Sequence, residues 1–150
     1  MISINDKGAK NMAKLDMEKT TFQEVLKTIK DNYKNYGKEY NLYSYYHYHK
    51  NKIVGVVYGW YMKDYLFIDI VYVKEEYRKK GIATCMLENV IKEMKENKKV
   101  DVIGIELVKY NGKYLLADVL GRLGFLCIIY HYIFNGRCMY YLEIERSKNE

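Results

Sequence analysis

The run Tyr65–Val73, YLFIDIVYV, is apolar, β-branched and aromatic everywhere except Asp69, the pattern of a strand buried on both faces. A short cationic loop follows, Arg78-Lys79-Lys80-Gly81, and from Ile82 the apolar residues recur at Ile82, Met86, Leu87, Val90, Ile91 and Met94. That spacing is one face of a helix. A second buried run, Val100–Val108, comes next. Strand, helix and strand in that order place the two strands parallel in one sheet, because the crossover helix carries the chain back to the edge where it began. A mixed α/β fold built around that parallel pair is the expectation.

The loop between the first strand and the helix suits an anion. The first N–H groups of a helix have no intrahelical partner, and the dipole adds partial positive charge there. Gly81 lets backbone approach a ligand closely, Ala83 keeps the first turn unobstructed, and Arg78, Lys79 and Lys80 bring cations. Phosphate is the natural guest. The lack of GxxxxGK[ST] argues against a nucleoside triphosphate loop, and the lack of GxGxxG after the strand argues against a dinucleotide fold.

The rest of the chain reads as scaffold. Thr21 with Glu24 forms a capping box, and Phe22, Val25, Leu26 and Ile29 share a face of a helix that Gly37 stops. Strands are expected at Leu42–His49 and Ile53–Tyr61 with a turn at Lys50-Asn51-Lys52, and the turn Lys63-Asp64 leads into Tyr65–Val73. Gly55 and Gly59 share a face of the second of these strands, where a bulge or a close approach is expected. A helix is expected over Tyr114–Leu123, stopped by Gly124, then a hairpin of Phe125–Phe134 and Arg137–Glu145 turned by Asn135-Gly136. Ile2–Ile4 is a candidate first edge strand. The sum is a single mixed, mostly antiparallel twisted sheet of six to seven strands flanked by helices, in one domain over residues 1–150.

Composition narrows the setting. No apolar run reaches the length of a membrane span, and MISINDKGAKN lacks the apolar core of a secretory signal, so the cytoplasm is the expected location. Cys85, Cys127 and Cys138 show no CxxC and no histidine at metal spacing, so they are expected to be reduced and structural, with no metal site. The net charge of +6 permits a nucleic-acid partner without requiring one, since lysines interleave with glutamates as in KEEYRKK.

Arg78-Lys79-Lys80-Gly81-Ile82-Ala83 resembles the pyrophosphate loop of the GNAT superfamily of N-acyltransferases, [RQ]xxGx[GA], position by position. The order of elements also resembles that family's layout, and Leu120–Phe125, LGRLGF, resembles its helix-to-strand corner, YxxLGF. The resemblance implies a central parallel pair that splays apart, with the pantetheine arm of acetyl-CoA between the strands. It implies cofactor contacts by Val71, Tyr72 and Val73, by the loop residues Arg78, Lys79, Lys80, Gly81, Ile82, Ala83 and Thr84, and near Asn111 and Tyr114. It also implies N-acetyl transfer to a primary amine of a small molecule, protein or peptide, by direct attack in a ternary complex.

Leu120 stands where that family commonly has the tyrosine beside the thioester sulfur, and Tyr114 lies about 240° around the helix from it, so it cannot take its direction. The thiolate is then expected to leave unassisted, to take a proton from water or from the acceptor, or to be served by a tyrosine of another strand, such as Tyr130 or Tyr132. Asp69, an acid within an apolar strand, is the expected general base, with burial expected to raise its pKa; pairing with a neighbouring tyrosine or histidine is the other reading. His47 and His49 share a strand face with Tyr43 and Tyr45 and are further candidates. A non-catalytic CoA-binding module and a basic GNAT-type protein that binds or acts on RNA are the alternatives, and monomer and homodimer both stay open.

Overall fold

In the computed structural model, which describes residues 20–97, 99–107, 114–129 and 138–145, the first helix starts where its cap dictates. The Thr21 hydroxyl accepts from the Glu24 amide and the Glu24 carboxylate accepts from the Thr21 amide, both at 3.2 Å. Helix α1, Phe22–Tyr36, buries Phe22, Val25, Ile29 and Asn32. Gly37 ends it in a right-handed conformation, φ −64°, and a Cβ there would strike the Tyr33 carbonyl. Close packing, not a left-handed turn, is what asks for glycine at this end.

Strands β1, Asn41–His49, β2, Lys52–Met62, and β3, Tyr65–Val73, form an antiparallel meander. His49 pairs with Lys52, leaving Lys50-Asn51 as a two-residue turn with φ of 49° and 64°. Two left-handed residues match the strand twist. Gly59 lies at a bulge, as its position suggests: Tyr58 pairs with Ile70 and Gly59 with Ile68, so Asp69 is the extra residue. A Cβ on Gly59 would run into the Phe67 carbonyl.

Helix α2, Ile82–Glu96, returns the chain to β4, Val102–Leu107, which pairs with β3 in parallel. The crossover read from the sequence is present, though β4 is shorter than the apolar run and Val108 lies outside the described residues. Helix α3, Ala117–Arg122, is also shorter than expected. No side chain caps its start, and a helix without a Ser, Thr, Asp or Asn cap gains nothing by beginning at Tyr114. Its end is firm. Gly124 takes φ 94°, the Phe125 amide bonds the Leu120 carbonyl at 2.9 Å and the Gly124 amide bonds the Gly121 carbonyl at 3.1 Å, a Schellman motif.

Strands β5, Leu126–Ile129, and β6, Cys138–Glu143, are antiparallel, and the six-stranded sheet runs β1-β2-β3-β4-β6-β5. This is the mixed, mostly antiparallel sheet with a central parallel pair that the sequence predicts. Met86, Leu87, Val90 and Met94 of α2 bury one sheet face with Leu66, Ile68, Ile103, Ile105 and Leu120. Phe22, Val25 and Ile29 of α1 bury the other with Tyr58, Trp60, Tyr65, Phe67 and Ile70. Among the described residues no helix is long and apolar enough to cross a membrane. The proposed edge strand Ile2–Ile4 and the turn Asn135-Gly136 lie outside the described residues.

Candidate active site

The β3–β4 ladder pairs Tyr65 with Val102 through Ile68 with Ile105 and stops there among the described residues. β3 continues to Val73, so its last residues, Ile70 to Val73, lie beyond the final β4 pair among the described residues. The bulge and the split therefore fall at the same residue. Such an open strand edge can pair with an extended ligand. Val71, Tyr72 and Val73, the expected contacts for the pantetheine arm, lie along it.

Asp69 is exposed, which corrects the expectation that burial raises its pKa. A bulged residue leaves the in-and-out alternation of its strand, so apolar neighbours on both sides need not bury it. Its charge reaches inward all the same. The Tyr58 phenol is pushed up first by burial and further by the Asp69 carboxylate, against a hydrogen bond from Asn32 Nδ2 at 3.2 Å. One register step past the split on the other strand stands Glu106, half-buried. Tyr65 is pushed up to about 12 by burial and then by the Glu106 charge. Both phenols belong to the α1-side core. Glu106 was missed by the sequence reading, although the signal that singled out Asp69 applies to it: it is the one acid within VIGIEL.

At the far end of β3 a single 3₁₀ turn, Glu75–Tyr77, leads to the basic loop. Lys79 and Gly81 both take positive φ, 62° and 80°, while Gly81 opens α2 with no side chain capping it and no acid in the first turn. Alternating left-handed residues turn successive N–H groups into one concavity. A Cβ on Gly81 would meet nothing within 4 Å, so that concavity is open. Lys79 and Lys80 are exposed, and Ile82, Ala83 and Thr84 are half-buried behind them. These features fit a pyrophosphate. Arg78 departs from expectation: its Nε donates to the Val73 carbonyl at 2.8 Å and its guanidinium lies 5.0 Å over the Tyr72 ring.

On the α2 side of the sheet Leu120 is fully buried in the core. Beyond it, Tyr114 is raised to about 12 by its hydrogen bond with Cys138 and then by burial. Tyr140, opposite both Ile105 and Cys127, is raised to about 12 by burial and then by the Cys127 thiol. Cys85, Cys127 and Cys138 are all free thiols. Tyr43 and Tyr45 pack on the α2-side core, so His47, two residues on, shares that face and stands away from the α1-side phenols. His49 lies 5.3 Å from the Tyr77 ring, beside the basic loop. Tyr130, Tyr132 and Asn111 lie outside the described residues. No group of three or more histidine, cysteine or acidic residues able to hold a metal occurs among the described residues.

The sequence model of the acetyltransferase (GNAT) family matches residues 10–113. No curated protein matches the chain in sequence. Among solved structures, the ribosomal-protein-S18-alanine N-acetyltransferase from Escherichia coli is 17% identical with a TM-score of 0.60, over 73% of this chain and 74% of that one. An Arabidopsis thaliana NAA60 in complex with a bisubstrate analogue is 13% identical with a TM-score of 0.59, over 85% of this chain and 96% of that one. The RimL ribosomal L7/L12 α-N-protein acetyltransferase in complex with coenzyme A is 16% identical with a TM-score of 0.63, over 93% of this chain and 82% of that one.

Proposed function

The chain belongs to the acetyltransferase (GNAT) family, whose acyl donor is acetyl-CoA, and from that premise we propose that it acetylates a primary amine of a small molecule, protein or peptide within a ternary complex. The observation that carries the proposal is the coincidence of an open strand edge, a phosphate-shaped loop at its far end and two carboxylates where it opens. The diphosphate of acetyl-CoA rests on the N–H groups of Lys79 to Thr84, among the cations of the loop. Backbone N–H groups around Val71–Val73 polarise the thioester carbonyl.

The acceptor arrives as an ammonium ion, drawn by Asp69 and Glu106, and gives one proton to a carboxylate. Asp69 is the base in this reading. Glu106 is the second candidate, because it is the more buried of the two and holds the same register on the partner strand. The free amine attacks the carbonyl carbon, the C–S bond breaks and the departing thiolate takes up a proton. Tyr130 is the proposed donor, and the new amide nitrogen gives up its surplus proton to the resulting tyrosinate or to solvent. Tyr114 and Tyr140 supply phenols on the α2 side, where Leu120 offers none.

Calorimetry with acetyl-CoA, followed by turnover against amine and peptide panels, tests this. Binding with turnover supports it. Binding without turnover on any acceptor would leave a CoA-binding module, and absence of binding would remove the reading altogether.

A further inference from the structure

Arg78 sits at the first position of the basic loop, where a phosphate contact is the obvious role, yet its contacts run the other way. Nε is committed to the Val73 carbonyl at 2.8 Å, and its planar face covers the Tyr72 ring at 5.0 Å. Tyr72 in turn faces helix α1. Its hydroxyl donates to the Thr20 carbonyl at 2.8 Å, and its ring stacks on Phe22 with centroids 5.8 Å apart and planes 30° apart. Thr20 and Phe22 flank Thr21, the capping residue of α1. An unbroken series of contacts thus joins the loop, the end of β3 and the start of the helix that packs on the Tyr58 and Ile70 face of the sheet.

We propose that Arg78 is a positioning residue that acts through Tyr72 to hold the start of α1 against the end of β3, and so fixes the wall that the acceptor amine meets. The acceptor half of this statement rests on the acetyl-transfer reading above; the contact between loop and helix does not. Physical chemistry explains why arginine is required. A guanidinium can stack its plane on an aromatic ring while one edge N–H bonds a carbonyl, whereas an ammonium is a point charge with no plane to stack. A phosphate, by contrast, accepts either cation.

That difference supplies the test, with Arg78→Met, Arg78→Lys and Tyr72→Phe measured beside the wild type. Two readouts are needed: the acetyl-CoA Kd by calorimetry, and hydrogen exchange at the first amides of α1, including Val25, which bonds the Thr21 carbonyl at 3.1 Å. The expected result is that Arg78→Lys binds acetyl-CoA within about threefold of wild type, because charge is kept. It nevertheless exchanges the α1 amides several-fold faster, as Arg78→Met does. Tyr72→Phe, which keeps the ring and loses the Thr20 bond, is expected to speed the same amides. Where an acceptor is in hand, kcat/KM for that amine should fall about tenfold in Arg78→Lys while the acetyl-CoA KM holds.

The proposal is overturned if lysine restores everything methionine loses, which is the behaviour of a phosphate ligand, or if α1 exchange is unchanged in all three variants. The exchange measurement needs no turnover. A protein that failed to acetylate anything would refute the transferase reading and still decide this one.

Discussion

Asp69 and Glu106 hold equivalent positions on the two parallel strands, each one residue beyond the last pair, Ile68 with Ile105. The split thus opens between two carboxylates, one exposed and one half-buried.

Replacing each in turn separates their roles. If Asp69 is the base, Asp69→Asn should lower kcat/KM by about 10²-fold and remove the loss of activity on the acid side, because only the carboxylate accepts the proton and acid converts it to the inactive form. Glu106→Gln should then act mainly through the KM of the amine. The reverse pattern in the pH–rate profiles would assign the base to Glu106.

Gly81→Asp is expected to abolish acetyl-CoA binding, since it puts a like charge where the diphosphate must sit. Gly81→Ala is the control. Space for its methyl group exists, but φ of 80° strains any residue with a Cβ, at a cost of about 1–2 kcal/mol. Calorimetry on both, with folding checked by circular dichroism, tests the loop; unchanged affinity in a folded Gly81→Asp would remove it from the site.

The sequence alone suggests that Leu120→Tyr would restore a missing acid and raise kcat. Its full burial predicts otherwise. A larger, polar side chain in that packed core should cost about 1–3 kcal/mol in urea unfolding and leave kcat without gain. A faster and equally stable variant would contradict the packing.

Alkaline stability has a predictable sign. Tyr65 is raised to about 12, first by burial and then by Glu106, and Tyr43 and Tyr58 are raised further, chiefly by burial. A folded-state pKa above the unfolded value of about 10 contributes stability that is complete below pH 10 and is lost as pH climbs through the folded value. Urea midpoints should therefore drop steeply between about pH 10 and about pH 12. Tyrosinate absorbance should rise together with loss of helix signal. Tyr65→Phe should flatten the slope.

Much of the architecture was legible because it rests on local rules. The Thr21–Glu24 box, the Lys50-Asn51 turn and the 3.6-residue spacing of α2 each specify structure within a few residues of themselves. Chemistry at the split was less legible because it depends on register. Asp69 looked buried by the company of its neighbours in sequence, and only the pairing of Tyr58 with Ile70 beside Gly59 with Ile68 shows it as the residue pushed out. Arg78 matched a motif by position, while its side chain follows an aromatic ring six residues upstream.

The four-pair ladder between β3 and β4 has a mechanical meaning. It is the sheet's central seam, with β1, β2 and β3 on one flank and β4, β6 and β5 on the other. The ladders on either side of it, eight pairs between β2 and β3 and six between β4 and β6 among the described residues, are antiparallel and longer, so under tension the sheet should part at this seam before it parts at either neighbouring one. A ligand threaded into the opening would lengthen that seam, and the same molecule that brings the acetyl group would rivet the two halves together.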